Sequence, residues 1–142
     1  IYVVGTTKSV TLENGAKRRY VSVDGGMSEN IRPALYGATY SAFLANRNSS
    51  ANAISSRIVG KHCESGDILI SEIDMPEDVR AGDLLAIPAT GAYGRSMASN
   101  YNHMPRPSVI AVINGTAREI LRRENEDDLL NLDVIQAPRQ LS

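Results

Sequence analysis

The stretch Arg18-Arg19-Tyr20-Val21-Ser22-Val23-Asp24-Gly25-Gly26 decides the fold class. Tyr20, Val21 and Val23 are β-forming residues, and the paired glycines end the run with a tight reversal or a close backbone approach. The same unit, a short strand stopped by turn residues, recurs in both directions. Upstream, Ile1–Val4 and Ser9–Leu12 read as strands flanking a Gly5-Thr6-Thr7 turn, and Asn14-Gly15 leads into the quoted run. Downstream, Asn30–Pro33 is punctuation, Ala38–Leu44 is a strand and Asn46–Asn52 is a polar loop. Ile54–Val59, Asp67–Ile73, Asp83–Pro88, Ser108–Asn114 and Thr116–Arg122 complete the strands. Of these, 83–88 and 108–114 are apolar enough to be buried, and Asn114-Gly115 turns the last pair. Two segments read as helical: Arg95–Tyr101, and Glu126–Val134, whose acidic first turn suits the helix dipole. Many short strands with one or two short helices predict a mainly β fold, an antiparallel barrel or sandwich.

Composition narrows the function classes. A chain of 142 residues hides roughly 68% of its unfolded area, enough for one hydrophobic core. Residues 1–135 read as one domain and 136–142, with Pro138, as a frayed tail. Ile1 opens in mid-strand without a Met, as expected of a piece cut from a longer polypeptide. Fifteen Lys and Arg balance sixteen Asp and Glu, so no electrostatic footprint for nucleic acid exists. No apolar run approaches the ~20 residues of a membrane span, and the single cysteine requires no oxidising compartment. The chain reads as soluble and cytoplasmic. Aromatic residues are only 5% of it, so the core is aliphatic and each tyrosine near a Gly or Arg is a candidate site residue.

Three segments place reactive side chains among glycines. In Asp24-Gly-Gly-Met-Ser-Glu-Asn-Ile-Arg32-Pro-Ala-Leu-Tyr36, the Arg32 guanidinium offers a planar fork suited to a carboxylate, with Tyr36 a few residues on. The alternative is a turn carrying a surface arginine. In His62-Cys63-Glu64-Ser65-Gly66-Asp67, a thiol beside a carboxylate could act as nucleophile or proton donor, since thiols are largely protonated near neutrality. A small buried hydrophobe is the other reading of that thiol. One Cys with His62 and His103 at no ligand-pair spacing falls short of a metal motif. In Pro88-Ala-Thr-Gly91-Ala-Tyr93-Gly94-Arg95-Ser-Met97, small residues beside Tyr93 let something large approach it. Neither glycine-rich nucleotide pattern occurs.

Together, these segments resemble the C-terminal domain of the pyridoxal-phosphate decarboxylases that act on diaminopimelate, ornithine and arginine, a group with the alanine-racemase-like fold. The likeness to the diaminopimelate members is carried by Asp24-Gly-Gly-Met27, Arg32-Pro-Ala-Leu-Tyr36, Gly60-Lys-His-Cys-Glu-Ser-Gly-Asp67, Gly91-Ala-Tyr93-Gly94, Met97-Ala-Ser-Asn-Tyr-Asn102 and Pro105-Arg-Pro107, in the family's order. It spans roughly Tyr20 to Val134. Arg95 stands where an aromatic is common, and the extra arginine often seen before Pro-Arg-Pro is missing.

The resemblance implies a (β/α)8 barrel, outside this chain, that carries pyridoxal 5'-phosphate on a lysine, followed by the sheet domain. It also implies a homodimer with shared active sites, in which the sheet domain borrows a strand from the start of the full chain. The implied reaction removes the carboxylate at the D-centre of meso-diaminopimelate, giving L-lysine and carbon dioxide in lysine biosynthesis. Cys63 would be the general acid, reaching with Glu64 into the partner's pocket, where Glu64 would bind the distal ammonium. Arg32 would clamp a substrate carboxylate with Tyr36 beside it, and Tyr93 would touch cofactor, phosphate and substrate. The chain alone would be inactive. The rival readings are a decarboxylase for ornithine, arginine or carboxynorspermidine, or a non-catalytic β dimerisation module.

Overall fold

The computed structural model describes residues 1–134; the proposed tail 136–142 lies outside the described residues. By contacts the chain divides into two compact units, Ile1–Ser99 and Asn100–Ser142.

The first unit is built on a six-stranded sheet. Its strands are β1 (Tyr2–Thr11), β2 (Lys17–Val23), β3 (Phe43–Leu44), β4 (Ala53–Val59), β5 (Ile68–Pro76) and β6 (Leu84–Ala86), in the spatial order β3-β6-β1-β2-β4-β5. The core is aliphatic as expected: Val4, Val21, Val23, Ile58, Leu69, Ile70, Met75, Val79, Leu85 and Ile87 form it. Its alternation is plainest on β2, where Arg19, Val21 and Val23 point inward and Arg18, Tyr20 and Ser22 are half-covered. Arg19 is buried because its guanidinium finds partners inside, the Ser56 hydroxyl and the carbonyls of Met75 and Glu77.

Several elements differ from the sequence reading. Gly5-Thr6-Thr7 does not turn; β1 runs through it with a register shift between Val4 and Thr6, so the glycine marks a bulge. The sheet is not purely antiparallel, because β2 and β4 pair in parallel, Arg19 opposite Ser56. A parallel neighbour needs a long crossover, and residues 24–52 supply it. The pairing order closes no barrel among the described residues, leaving β3 and β5 as edges. Only Phe43–Leu44 of the expected 38–44 strand pairs. A helix absent from the reading, α1, covers Arg32–Tyr36; Pro33 enters it without needing a donor, and Gly37 leaves it at φ 64°. The next helix, α2 (Gly91–Met97), lies earlier than Arg95–Tyr101.

The second unit holds the hairpin β7 (Val109–Ile113) and β8 (Thr116–Leu121), followed by α3 (Glu126–Leu130). Asn114 and Gly115 both have positive φ, as the expected two-residue turn requires. The burial predicted for 108–114 is not found: Ile110, Val112 and Ile113 are exposed, since a two-stranded ribbon can cover little of either face. Asn125 and Asp128 form a capping box that starts α3.

Candidate functional site

The first unit gathers its chemistry around two arrangements. One is built on α1. A spacing of four residues puts Arg32 and Tyr36 on one helix face, and the Arg32 guanidinium lies 5.6 Å from the centre of the Tyr36 ring. The fold adds what the spacing could not: Tyr93, on α2, places its ring 5.5 Å from the same guanidinium. Both rings are exposed. Arg32 and Tyr93 border an open depression of about 270 Å³ with Thr39, Tyr40, Ala89 and Thr90. Ala89 sits at φ 60°, a left-handed conformation in which the chain turns from β6 towards α2. A guanidinium held between two phenols suits an anion with a flat or forked acceptor, such as a carboxylate or phosphate.

The other arrangement ties the loop 60–67 to the turn 24–30 through Asp67. That side chain is buried; Oδ1 accepts from the Met27 N–H at 2.7 Å and Oδ2 from the His62 N–H at 2.8 Å. It explains one glycine in each of the two motifs. A Cβ on Gly26 would sit 2.6 Å from the carboxylate, and one on Gly60 would overlap it. Lys61 N–H donates to the Gly25 carbonyl, Asp67 N–H to that of Glu64, and Gly60 N–H to that of Asp67. The buried His62 ring meets the Ser28 hydroxyl at 2.9 Å, and the Ser28 carbonyl accepts from Ser99 N–H beyond α2. Cys63 and Glu64 project from this braced loop and are exposed. Tyr2 packs where a Cβ on Gly25 would collide with its ring. Burial first, then the carboxylates of Glu29, Asp24 and Asp67, push its phenol well above the ordinary range.

The structure thus assembles Arg32, Tyr36 and Tyr93 into one cluster, while Cys63 and Glu64 do not line the depression beside it. Sequence reasoning missed Ser28 and the anchoring part played by His62 and Asp67. The signal available was the pair of glycine motifs, each shaped by the same distant carboxylate. Among the described residues no three His, Cys, Asp or Glu side chains gather as a metal site. Asn30 Nδ2, two residues before Arg32, is buried without a hydrogen-bond partner among the described residues, a donor of the kind normally satisfied.

Residues 2–91 match the family model "Pyridoxal-dependent decarboxylase, C-terminal sheet domain", and the chain belongs to this family. Within it, the chain is 57% identical to the diaminopimelate decarboxylase of Mycobacterium tuberculosis (strain ATCC 25618 / H37Rv) over 134 residues, 94% of this chain and 30% of that protein. It is 53% identical to the Bacillus subtilis (strain 168) enzyme of the same name, over 94% of this chain and 29% of the relative. A crystal structure of diaminopimelate decarboxylase from M. jannaschii in complex with L-lysine superposes with a TM-score of 0.84 at 30% identity, covering 95% of this chain and 29% of that one. The chain therefore spans about 30% of the length of the relatives it matches.

Proposed function

We propose that this chain is the sheet domain of a diaminopimelate decarboxylase that converts meso-2,6-diaminopimelate to L-lysine and carbon dioxide in the cytoplasm, as part of lysine biosynthesis. The observation that carries the reading is the Arg32–Tyr36–Tyr93 cluster, found in a chain 57% identical to a protein of that name. Pyridoxal 5'-phosphate, when bound, supplies the electron sink that lets the carboxylate at the D-centre leave. The donors present here fit such an anion and an amino-acid substrate: one guanidinium and two phenols for the anionic groups, one carboxylate for an ammonium. The lysine that carries the cofactor belongs to a barrel domain outside this chain.

In this reading Arg32 clamps a substrate carboxylate, Tyr36 hydrogen-bonds beside it, and Tyr93 meets both the cofactor phosphate and the substrate. Glu64 holds the ammonium at the far, L-configured end. Cys63 Sγ holds the proton destined for the α-carbon, acting as general acid. Cys63 and Glu64 stand outside the Arg32 depression because they serve the site of a second subunit in a homodimer. In the assembled enzyme this chain acts as the sheet domain. There, a strand from the segment ahead of the domain covers a sheet edge and favours barrel closure, a need that exposed edges create.

The test is an assay of the full-length protein against meso-diaminopimelate, ornithine, arginine and carboxynorspermidine. Carbon dioxide is expected from the first alone, and Arg32→Ala and Glu64→Gln should each lower kcat/KM. Turnover of another of the four in preference would move the protein to that activity. Full turnover after Glu64→Gln and Tyr93→Phe would point to a dimerisation module.

A further inference from the structure

The loop that presents Cys63 and Glu64 is held by more than the Asp67 carboxylate and backbone ties; a buried side-chain pair also anchors it. His62 is the residue next to the thiol. Its backbone N–H is fixed by Asp67 Oδ2 at 2.8 Å and its ring by the Ser28 hydroxyl at 2.9 Å. Ser28 is 2% exposed, so this pair is withdrawn from solvent, where such a hydrogen bond is strengthened and its loss leaves a polar group stranded. On the other side, the Ser28 carbonyl accepts from Ser99 N–H, two residues beyond the end of α2, which carries Tyr93. Gly26 leaves room for the ring, since a Cβ there would lie 2.9 Å from His62 Cδ2. One serine therefore touches both the thiol loop and the segment following the tyrosine helix.

We propose that the Ser28–His62 pair sets the position of the Cys63 thiol, making His62 a positioning residue for proton delivery rather than a passive core histidine. The inference rests on the reading of Cys63 as proton donor. Asp67 holds the main chain of the loop at Gly60 and His62, and the His62 ring adds a side-chain anchor one residue before the thiol. A displacement of the order of an ångström between donor and acceptor is costly to catalysis even when folding is intact.

The test uses the full-length protein with His62→Ala, His62→Gln, Ser28→Ala and the His62→Ala/Ser28→Ala double variant. The expected result for His62→Ala is a kcat lowered roughly 10- to 100-fold at unchanged KM, with the cofactor absorbance of the native protein. His62→Gln, which can still bond to Ser28, should recover most of the loss. The double variant should be no worse than His62→Ala, since the two residues act through one bond. A second readout does not need the reaction: the alkylation rate of Cys63 by iodoacetamide, followed on its own peptide by mass spectrometry, should change in the same order across the variants. Additive losses in the double variant, or wild-type kcat and labelling rate in His62→Ala, would overturn the proposal. If the wild-type protein decarboxylates none of the substrates, the functional reading fails while the labelling series still decides whether the pair positions the thiol. Should His62→Ala not fold, Ser28→Ala and His62→Gln carry the same comparison.

Discussion

A single carboxylate explains why two distant glycine motifs occur in one chain. Asp67 enters a space that any side chain on Gly26 or Gly60 would fill, and it uses that closeness to hold two backbone N–H groups. Gly60→Ala should therefore cost roughly 1–3 kcal/mol through overpacking, read as a lower urea midpoint with an unchanged m-value. A midpoint equal to wild type would mean that the loop moves aside freely. At the same scale, Cys63→Ala in the full-length protein should slow turnover or misdirect protonation while leaving cofactor absorbance intact. An unchanged rate and product would remove the thiol from the reaction.

Among the elements, β4 pairs in parallel with β2 on one side and antiparallel with β5 on the other, and Ile58 is its fully buried apolar residue. Ile58→Ala should cost about 3–4 kcal/mol, the transfer term plus a cavity that the strands on either side cannot collapse; equilibrium denaturation measures it. The second unit has little apolar cover and relies on polar ties. Glu124 accepts from the Arg106 N–H and guanidinium and from the Asn100 amide. Partial burial, the largest single influence, opposes its ionisation, yet these donors outweigh it and bring the pKa down to about 2. Because the folded value lies below the ordinary 4.5, the folded state binds fewer protons. The contribution is complete above about pH 4.5 and is lost as pH falls through about 2. The Arg106 amide proton resonance should follow this titration, and Glu124→Gln should abolish it; a midpoint near 4.5 would show that the ties are not held in solution.

For the whole molecule, the proposed function implies dependence on segments that this chain does not contain. The sheet ends in two edges, a buried Asn30 donor has no partner among the described residues, and the candidate thiol faces outward. In the proposed reading, these are the places where a neighbouring segment or subunit would pack. The 142-residue chain with added pyridoxal phosphate should release no carbon dioxide from meso-diaminopimelate. Release at a rate near that of the full-length protein would show the reaction to be self-contained here.

Local sequence determined the strands whose alternation and turn residues agree: β2, β4, β8 and the Asn114-Gly115 turn are where the residues place them. It also marks Arg32 and Tyr36 as neighbours of some kind, though its local signals give punctuation and not the helix that makes them so. Pro33 obscured this, because proline signals a turn and a first helical position equally well. What tertiary structure alone decided was everything that joins distant segments. The parallel β2–β4 pairing, the meeting of Tyr93 with Arg32 and the hold of Asp67 and Ser28 on the thiol loop all connect residues dozens of positions apart. Periodicity and turn chemistry carry information over only a few residues, whereas these contacts exist only once the core has closed and brought the segments within hydrogen-bonding reach.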